Sequence, residues 1–82
     1  MIYNVQFKPK SIKDAQTIPK KDLKGIFEKI EFMKTDLRGN VKRLTNFTPE
    51  YRLRIGNYRV LFEIENKEIV IYRILHRKDV YR

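Results

Sequence analysis

Hydrophobic and polar residues alternate near both ends of the chain, which is the pattern of strands with one buried face. The first eight residues place Tyr3, Val5 and Phe7 on one side of a strand. Three more alternating segments follow near the other end, at about residues 51–55, 58–65 and 68–75. Short polar turns separate these three segments, so we expect them to pair as an antiparallel meander.

Between these strands, apolar residues recur at the three- and four-residue spacing of helices. A short helix is predicted from Pro9 to near Thr17, with Ile12 and Ala15 facing the core. It ends there because Pro19 disfavours helical backbone in the residue before it.

A longer helix is predicted from about Lys20 to Lys34, with lysines and glutamates on its outer side. Its apolar stripe consists of Leu23, Ile26, Phe27, Ile30 and Met33. A stripe of this width is typical of a surface helix that packs against a sheet.

The remaining segments complete the predicted fold. Residues 36–40 (DLRGN) form a turn, 41–45 are a candidate short strand, and HRKDVYR at the end forms a helical turn or a tail. We therefore expect a single α+β domain over residues 1–82, in the order β-α-α-β-β-β. Two N-terminal helices pack on one face of a mostly antiparallel four-stranded sheet, to which 41–45 adds a possible fifth strand.

Charge and composition narrow the function. The chain has 82 residues and 19 Lys and Arg against 10 Asp and Glu, a net charge of +9. Such a balance indicates a polyanionic partner (nucleic acid, an acidic protein segment or an anionic membrane surface), the alternative being a basic surface without a partner. The absence of cysteine fits the cytoplasm and excludes disulfides. With one histidine and no carboxylate cluster, we expect neither a metal nor a cofactor.

The stretch EYRLRIGNYRVLFEI, residues 50–64, carries the most specific chemistry. If Gly56 and Asn57 are the central residues of a hairpin turn, Arg54 lies opposite Arg59. Alternation then separates an apolar face from a second face. That second face carries Arg52, Arg54, Arg59, Leu61 and Glu63.

Like charges facing each other destabilise a sheet by a few tenths of a kcal/mol, so folding does not explain this arginine pair. A phosphate between the guanidinium groups does explain it, because the planar fork donates paired hydrogen bonds and stays charged. The alternative interpretation is a solvated basic edge, which is common in proteins of this charge.

The next strand extends this face if Asn66 and Lys67 form a second two-residue turn. Strict alternation then puts Val70, Tyr72, Ile74 and His76 on the arginine side and leaves Arg73 on the core side. His76, the only histidine, is expected near Arg54 and Arg59. A histidine among cations suits metal-free RNA cleavage, which needs a base, a cation for the phosphorane and an acid.

This hairpin, the following strand and HRKDVYR resemble the RelE-type toxins of the RelE/ParE toxin–antitoxin superfamily. The resemblance implies an endoribonuclease that enters the ribosomal A site, cuts messenger RNA by attack of the 2′-hydroxyl on the phosphate, and is inhibited by a cognate antitoxin. It further implies that Arg52 and Arg54 contact the phosphate or the 2′-hydroxyl and that Arg59 stabilises the transition state. His76 or Arg77 matches the general acid, and Tyr81 the tyrosine that stacks on a base.

Some questions stay open at this stage. Some RelE-like members have two lysines where this chain has Arg52 and Arg54, and arginine is a poor general base. The sequence therefore does not assign the acid and the base. Lys42, Arg43 and Lys78 are candidate contacts for the RNA backbone, or solvated basic side chains. Two other functions remain: a ParE-like toxin that inhibits DNA gyrase, and an RNA-binding domain without activity.

Overall fold

The computed structural model describes residues 1–80, and its helices and strands follow the predicted order. The elements are β1 Asn4–Phe7, α1 Pro9–Gln16, α2 Lys20–Met33, β2 Val41–Arg43, β3 Tyr51–Ile55, β4 Tyr58–Glu65, β5 Glu68–His76 and α3 Arg77–Val80. The predicted α+β class is confirmed. The sheet has five strands rather than four, since β2 forms and pairs with β3. No helix of the described part is long and apolar enough to cross a bilayer.

The strands lie in the order β1-β5-β4-β3-β2, with β1 parallel to β5 and every other pair antiparallel. The predicted β3–β4 hairpin is confirmed, since Arg54 pairs with Arg59 and Ile55 with Tyr58. Gly56 adopts a positive φ of 54° at the first central position of the turn. That conformation favours glycine and suits the twist of a two-residue hairpin.

The core lies between α2 and one face of the sheet. Helix α2 contributes Ile26, Ile30 and Met33 of its predicted stripe. The sheet contributes Leu53, Val60, Phe62, Ile69, Ile71 and Ile74. Phe27 is 40% exposed, in contrast to the prediction, and its ring packs edge-on against Phe7 with centroids 5.8 Å apart.

The buried side of α1 was also predicted wrongly in part. Ile12 is half exposed, and Ser11 is the buried residue of this helix. The Ser11 hydroxyl donates a hydrogen bond of 2.7 Å to the carbonyl of Lys8, so its polar atom is satisfied inside the first turn. Ala15 packs against the core as predicted.

A β-bulge in β5 overturns the predicted register of its second half. Phe62 pairs with Ile71 as expected, but Leu61 then pairs with Arg73, so Tyr72 is an extra residue. One extra residue inverts the faces of all that follow it. Ile74 therefore lies in the core and His76 lies opposite Tyr58, whereas both were predicted on the arginine side.

Helix α1 covers the edge of β5 that β1 leaves open, because β1 pairs only with residues Glu68–Ile71. Asp14 accepts hydrogen bonds from the backbone N–H of Ile74 at 3.0 Å and from Arg73 at 2.7 and 3.0 Å. Arg73 was predicted on the core side, and the bulge together with this ion pair removes that charge from the core. Burial raises the pKa of Asp14, but the hydrogen bonds and the positive charge of Arg73 outweigh burial and lower it.

Candidate functional site

The sheet face opposite α2 carries a group of basic side chains, which we call the basic face. Residues that pair across strands share a face. One row runs across four strands: Lys42, Arg52, Leu61 and Arg73. The next row contains Arg54, Arg59 and Leu75. The predicted placement of Arg52, Arg54 and Arg59 on one sheet face is confirmed, and Lys42 lies on the same face.

Arg52 is held in a defined orientation on the basic face. Its Nη1 donates to the backbone carbonyl of Asn40 at 3.1 Å and to the Asn40 side-chain oxygen at 3.2 Å. The sequence did not predict this role of Asn40, because no local pattern links residues twelve positions apart. Both acceptors are neutral, so the positive charge of Arg52 remains available to an anion.

Arg54 is the exposed guanidinium of the basic face, next to the half-buried Arg52. Within residues 1–80 its side chain has neither a hydrogen-bond partner nor a carboxylate neighbour. Arg59 lies directly opposite on β4, in a cross-strand pair whose Cβ atoms are typically about 4.5–5.5 Å apart, so two residues of like charge are neighbours. An anion bound here would relieve that repulsion.

Arg59 is only 6% exposed and is part of the β3–β4 turn. Its Nη1 donates to the carbonyls of Gly56 and Tyr58, both at 3.0 Å. In the described part of the chain it forms no ion pair. Arg59 thus lies opposite Arg54 with a charge that forms no ion pair in the described residues, and its hydrogen bonds stabilise the turn next to Arg54.

His76 and Lys78 lie away from the basic face. The His76 ring packs edge-on against Tyr58 with centroids 5.4 Å apart, and the Tyr58 hydroxyl donates to Asp22 of α2 at 3.2 Å. A cavity of about 540 Å³ on this side is lined by His76, Lys78, Tyr58 and Asp14 among others. The expectation that His76 lies near Arg54 and Arg59 is therefore wrong, because the bulge turned it to the helix side.

The environment of Tyr58 makes it a weaker acid than a free tyrosine. Burial raises the pKa of its hydroxyl, and the hydrogen bond to the Asp22 carboxylate and the negative charge of that group raise it further. Tyr58 therefore stays protonated at neutral pH and serves as a donor that fixes α2 to the β3–β4 hairpin.

The other residues predicted to contact RNA do not lie together. Arg43 pairs with Tyr51 on the core-side face and forms an ion pair with Glu50 at 3.3 Å, so it does not extend the basic face. Arg77 begins α3, where its backbone N–H donates to the carbonyl of Asn57 at 2.6 Å, beside the β3–β4 turn. Tyr81 lies outside the described residues.

The arrangement is suited to holding an anion. Among residues 1–80 no group of three or more histidine, aspartate or glutamate side chains comes together. The basic face instead offers an oriented guanidinium in Arg52 and an exposed one in Arg54, which is the chemistry that recognises a phosphodiester.

Comparison with known proteins identifies relatives over nearly the whole chain. The family model described as "ParE toxin of type II toxin-antitoxin system, parDE" matches residues 5–81. The toxin RelE3 of Methanocaldococcus jannaschii is 33% identical, with 94% of this chain and 93% of that protein covered.

Solved structures show the same fold. The RelB–RelE antitoxin–toxin complex from Methanococcus jannaschii superposes with a TM-score of 0.76 at 30% identity, covering 92% of this chain and 93% of that one. The toxin–antitoxin complex RelBE2 from Mycobacterium tuberculosis gives a TM-score of 0.82 at 25% identity, covering 94% and 100%. In both structures the similar chain belongs to a complex of a toxin and an antitoxin.

Proposed function

The chain belongs to the ParE toxin family of type II toxin–antitoxin systems, within the RelE/ParE superfamily, and we propose that it is a ribosome-dependent endonuclease of messenger RNA. The observation that carries this proposal is the basic face, where Arg52, Arg54 and Arg59 lie together on the side of the sheet opposite α2. The likeness to toxins named RelE supports the same activity.

The chemistry assigned to the basic face is phosphate binding and charge stabilisation. Arg52 and Arg54 hold the scissile phosphate, and the charge of Arg59 on the neighbouring strand stabilises the phosphorane formed when the 2′-hydroxyl attacks. Guanidinium groups stay protonated, so none of the three accepts the proton of that hydroxyl. We assign both proton transfers, removal of the proton from the 2′-hydroxyl and protonation of the leaving 5′-oxygen, to groups supplied by the ribosome, which explains why cleavage would depend on it.

His76 is not part of this mechanism, because it lies on the helix side of the sheet. The variant His76→Gln is therefore expected to cleave messenger RNA on programmed ribosomes within about threefold of the wild-type rate between pH 6 and 8. A loss of 100-fold or more, or a pH profile that changes only in this variant, would restore His76 as the acid or base.

The activity itself is tested in a translating extract by mapping the 5′ ends of a reporter message. Purified toxin is expected to produce cuts at a fixed position within codons, and only when ribosomes are present. The variant Lys24→Ala is a suitable control, since Lys24 is an exposed cation of α2, away from the basic face. Intact messages after incubation with folded toxin would disprove the proposed function.

A second function, inhibition of DNA gyrase, is favoured by the description of the matching family model as a ParE toxin. The same preparation is assayed for gyrase supercoiling. Inhibited gyrase with intact messages would identify a ParE-like toxin. If neither gyrase inhibition nor message cleavage is seen, the protein would be an RNA-binding domain without activity. The uncompensated arginines of the basic face support the endonuclease.

The proposed partners follow from the relatives. The solved M. jannaschii and M. tuberculosis complexes contain antitoxins, and we propose that a cognate antitoxin inhibits this chain as well. A net charge of +9 favours an acidic segment in that antitoxin. The site of action would be the translating ribosome, which places the protein in the cytoplasm.

A further inference from the structure

A second cavity, of about 540 Å³, opens on the basic face between the sheet, the β1–α1 junction and the β2–β3 loop. Its apolar surface comes from Leu61, Tyr72, Pro9 and Pro49. Lys8, Lys10 and Arg73 supply cations around it, and no carboxylate is among the side chains that line it. A cavity with this lining accepts a flat apolar group attached to a negative charge.

The β-bulge of β5 creates this cavity. Without the extra residue, Tyr72 and Arg73 would point to opposite faces of the sheet. The bulge brings them to the same cavity beside Leu61, and bulges commonly redirect side chains next to functional sites. The bulge also serves the core, since it turns Ile74 to the buried face and Arg73 away from that face.

Tyr72 presents an aromatic surface in a cationic setting. It is half buried, and the Nζ of Lys8 lies 5.3 Å from its ring centroid. Aromatic rings flanked by lysine and arginine are the usual platform for bases of single-stranded RNA, where the ring stacks on the base and the cations hold the backbone. Arg73 is already paired with Asp14, so Lys8 and Lys10 are the cations available to phosphate.

The cavity is continuous with the phosphate-binding arginines. Leu61, one of its apolar residues, pairs directly with Arg52 on β3. Arg73 continues the same row on β5, two strands from Arg52, at a distance of about 10 Å. An RNA strand whose phosphate lies on Arg52 and Arg54 would therefore carry a neighbouring nucleotide over the cavity.

We propose that this cavity binds a nucleobase next to the scissile phosphate, with the base stacked on Tyr72 and the adjoining backbone held by Lys8 and Lys10. The proposal rests on the proposed endonuclease function and adds a residue that positions the substrate and discriminates between nucleotides. Stacking tolerates every base but favours those with larger ring systems, so purines are expected to be preferred at this position.

The test uses full-length toxin, ribosomes with an empty A site, and a short synthetic message in which one nucleotide at a time is abasic. For the wild type, one abasic position beside the cut is expected to slow single-turnover cleavage by about 5- to 100-fold. Tyr72→Leu is expected to cleave the intact message more slowly by the same factor. Its rate is expected to fall no further when the message is abasic at that position. Tyr72→Phe, which keeps the ring, is expected to behave as the wild type.

The lysines have a matched control in α1. Lys10→Gln is expected to slow cleavage severalfold and to reduce its salt dependence, whereas Lys13→Gln, an exposed lysine outside the cavity, is expected to do neither. If the wild type does not cut the intact message, the proposed function itself fails.

Other results would overturn the cavity proposal alone. One is that the wild type cleaves the intact message, but each abasic position slows cleavage by Tyr72→Leu by the same factor as cleavage by the wild type. Another is unchanged cleavage by Tyr72→Leu together with weakened binding of the cognate antitoxin, which would assign the cavity to that protein.

Discussion

Replacing Arg54 with alanine is expected to lower the rate of messenger-RNA cleavage by about 100-fold or more while leaving the fold intact. Arg54 is exposed, and its guanidinium has no partner within residues 1–80, so the substitution removes no hydrogen bond or ion pair there. The variant also removes the repulsion with Arg59 and is expected to be more stable by up to about 1 kcal/mol. The measurements are single-turnover cleavage on programmed ribosomes and thermal unfolding.

The opposite signs of the two effects make this prediction specific. A variant that loses activity because it unfolds would melt at a lower temperature, and Arg54→Ala should not. Lys24→Ala removes one exposed positive charge from α2 and is expected to change neither quantity appreciably. If Arg54→Ala cleaves at the wild-type rate, the unpaired guanidinium does not contact the reacting phosphate.

Arg59 is a less informative target than Arg54. Its buried guanidinium donates to the carbonyls of Gly56 and Tyr58 in the turn. Removing it would leave those acceptors unpaired as well as removing a charge, so a loss of cleavage would combine catalytic and structural effects. Arg54 is therefore the better position than Arg59 for testing the catalytic role by substitution.

Replacing Asp14 with alanine is expected to destabilise the fold by about 2–3 kcal/mol, because the carboxylate accepts three hydrogen bonds at the open edge of β5. Its loss leaves the backbone N–H of Ile74 without an acceptor and Arg73 without a counterion. In a chain of this size the melting temperature is expected to fall by about 10–20 °C, as measured by circular dichroism. Glu28→Gln, at an exposed carboxylate of α2, serves as the control.

Asp14 also makes stability depend on pH. Its pKa is lowered in the folded state, below the ordinary value of 3.8, so the unfolded chain binds the proton more readily. The stabilisation is therefore complete at neutral pH, and it decreases as the pH falls through the folded-state pKa. The difference in unfolding free energy between wild type and Asp14→Asn is expected to shrink below about pH 4. A difference that stays constant down to pH 2 would show that the ion pair is not the cause.

Local sequence patterns were enough to predict the order of the helices and strands, most of the core stripe of α2 and the β3–β4 hairpin. These features depend on local rules: the period of apolar residues, the two-residue turn with glycine first, and the alternation of faces in a strand. The shared face of Arg52, Arg54 and Arg59 followed from the same local count, because only one turn separates the two strands. The resemblance to RelE-type toxins, carried by the same stretch, agrees with the family to which the chain belongs.

The register of the second half of β5 and the hydrogen-bond partners of the basic face depend on contacts between distant parts of the chain. No local pattern marks the extra residue at Tyr72, and strict alternation put His76 on the wrong face in consequence. The bulge forms where β1 ends and α1 takes over the edge of β5, with Asp14 binding Ile74 and Arg73. Contacts between residues 59 or 60 positions apart set that geometry. Interactions over such distances leave no periodic signal in a sequence, and here they place the aromatic residue beside the arginines.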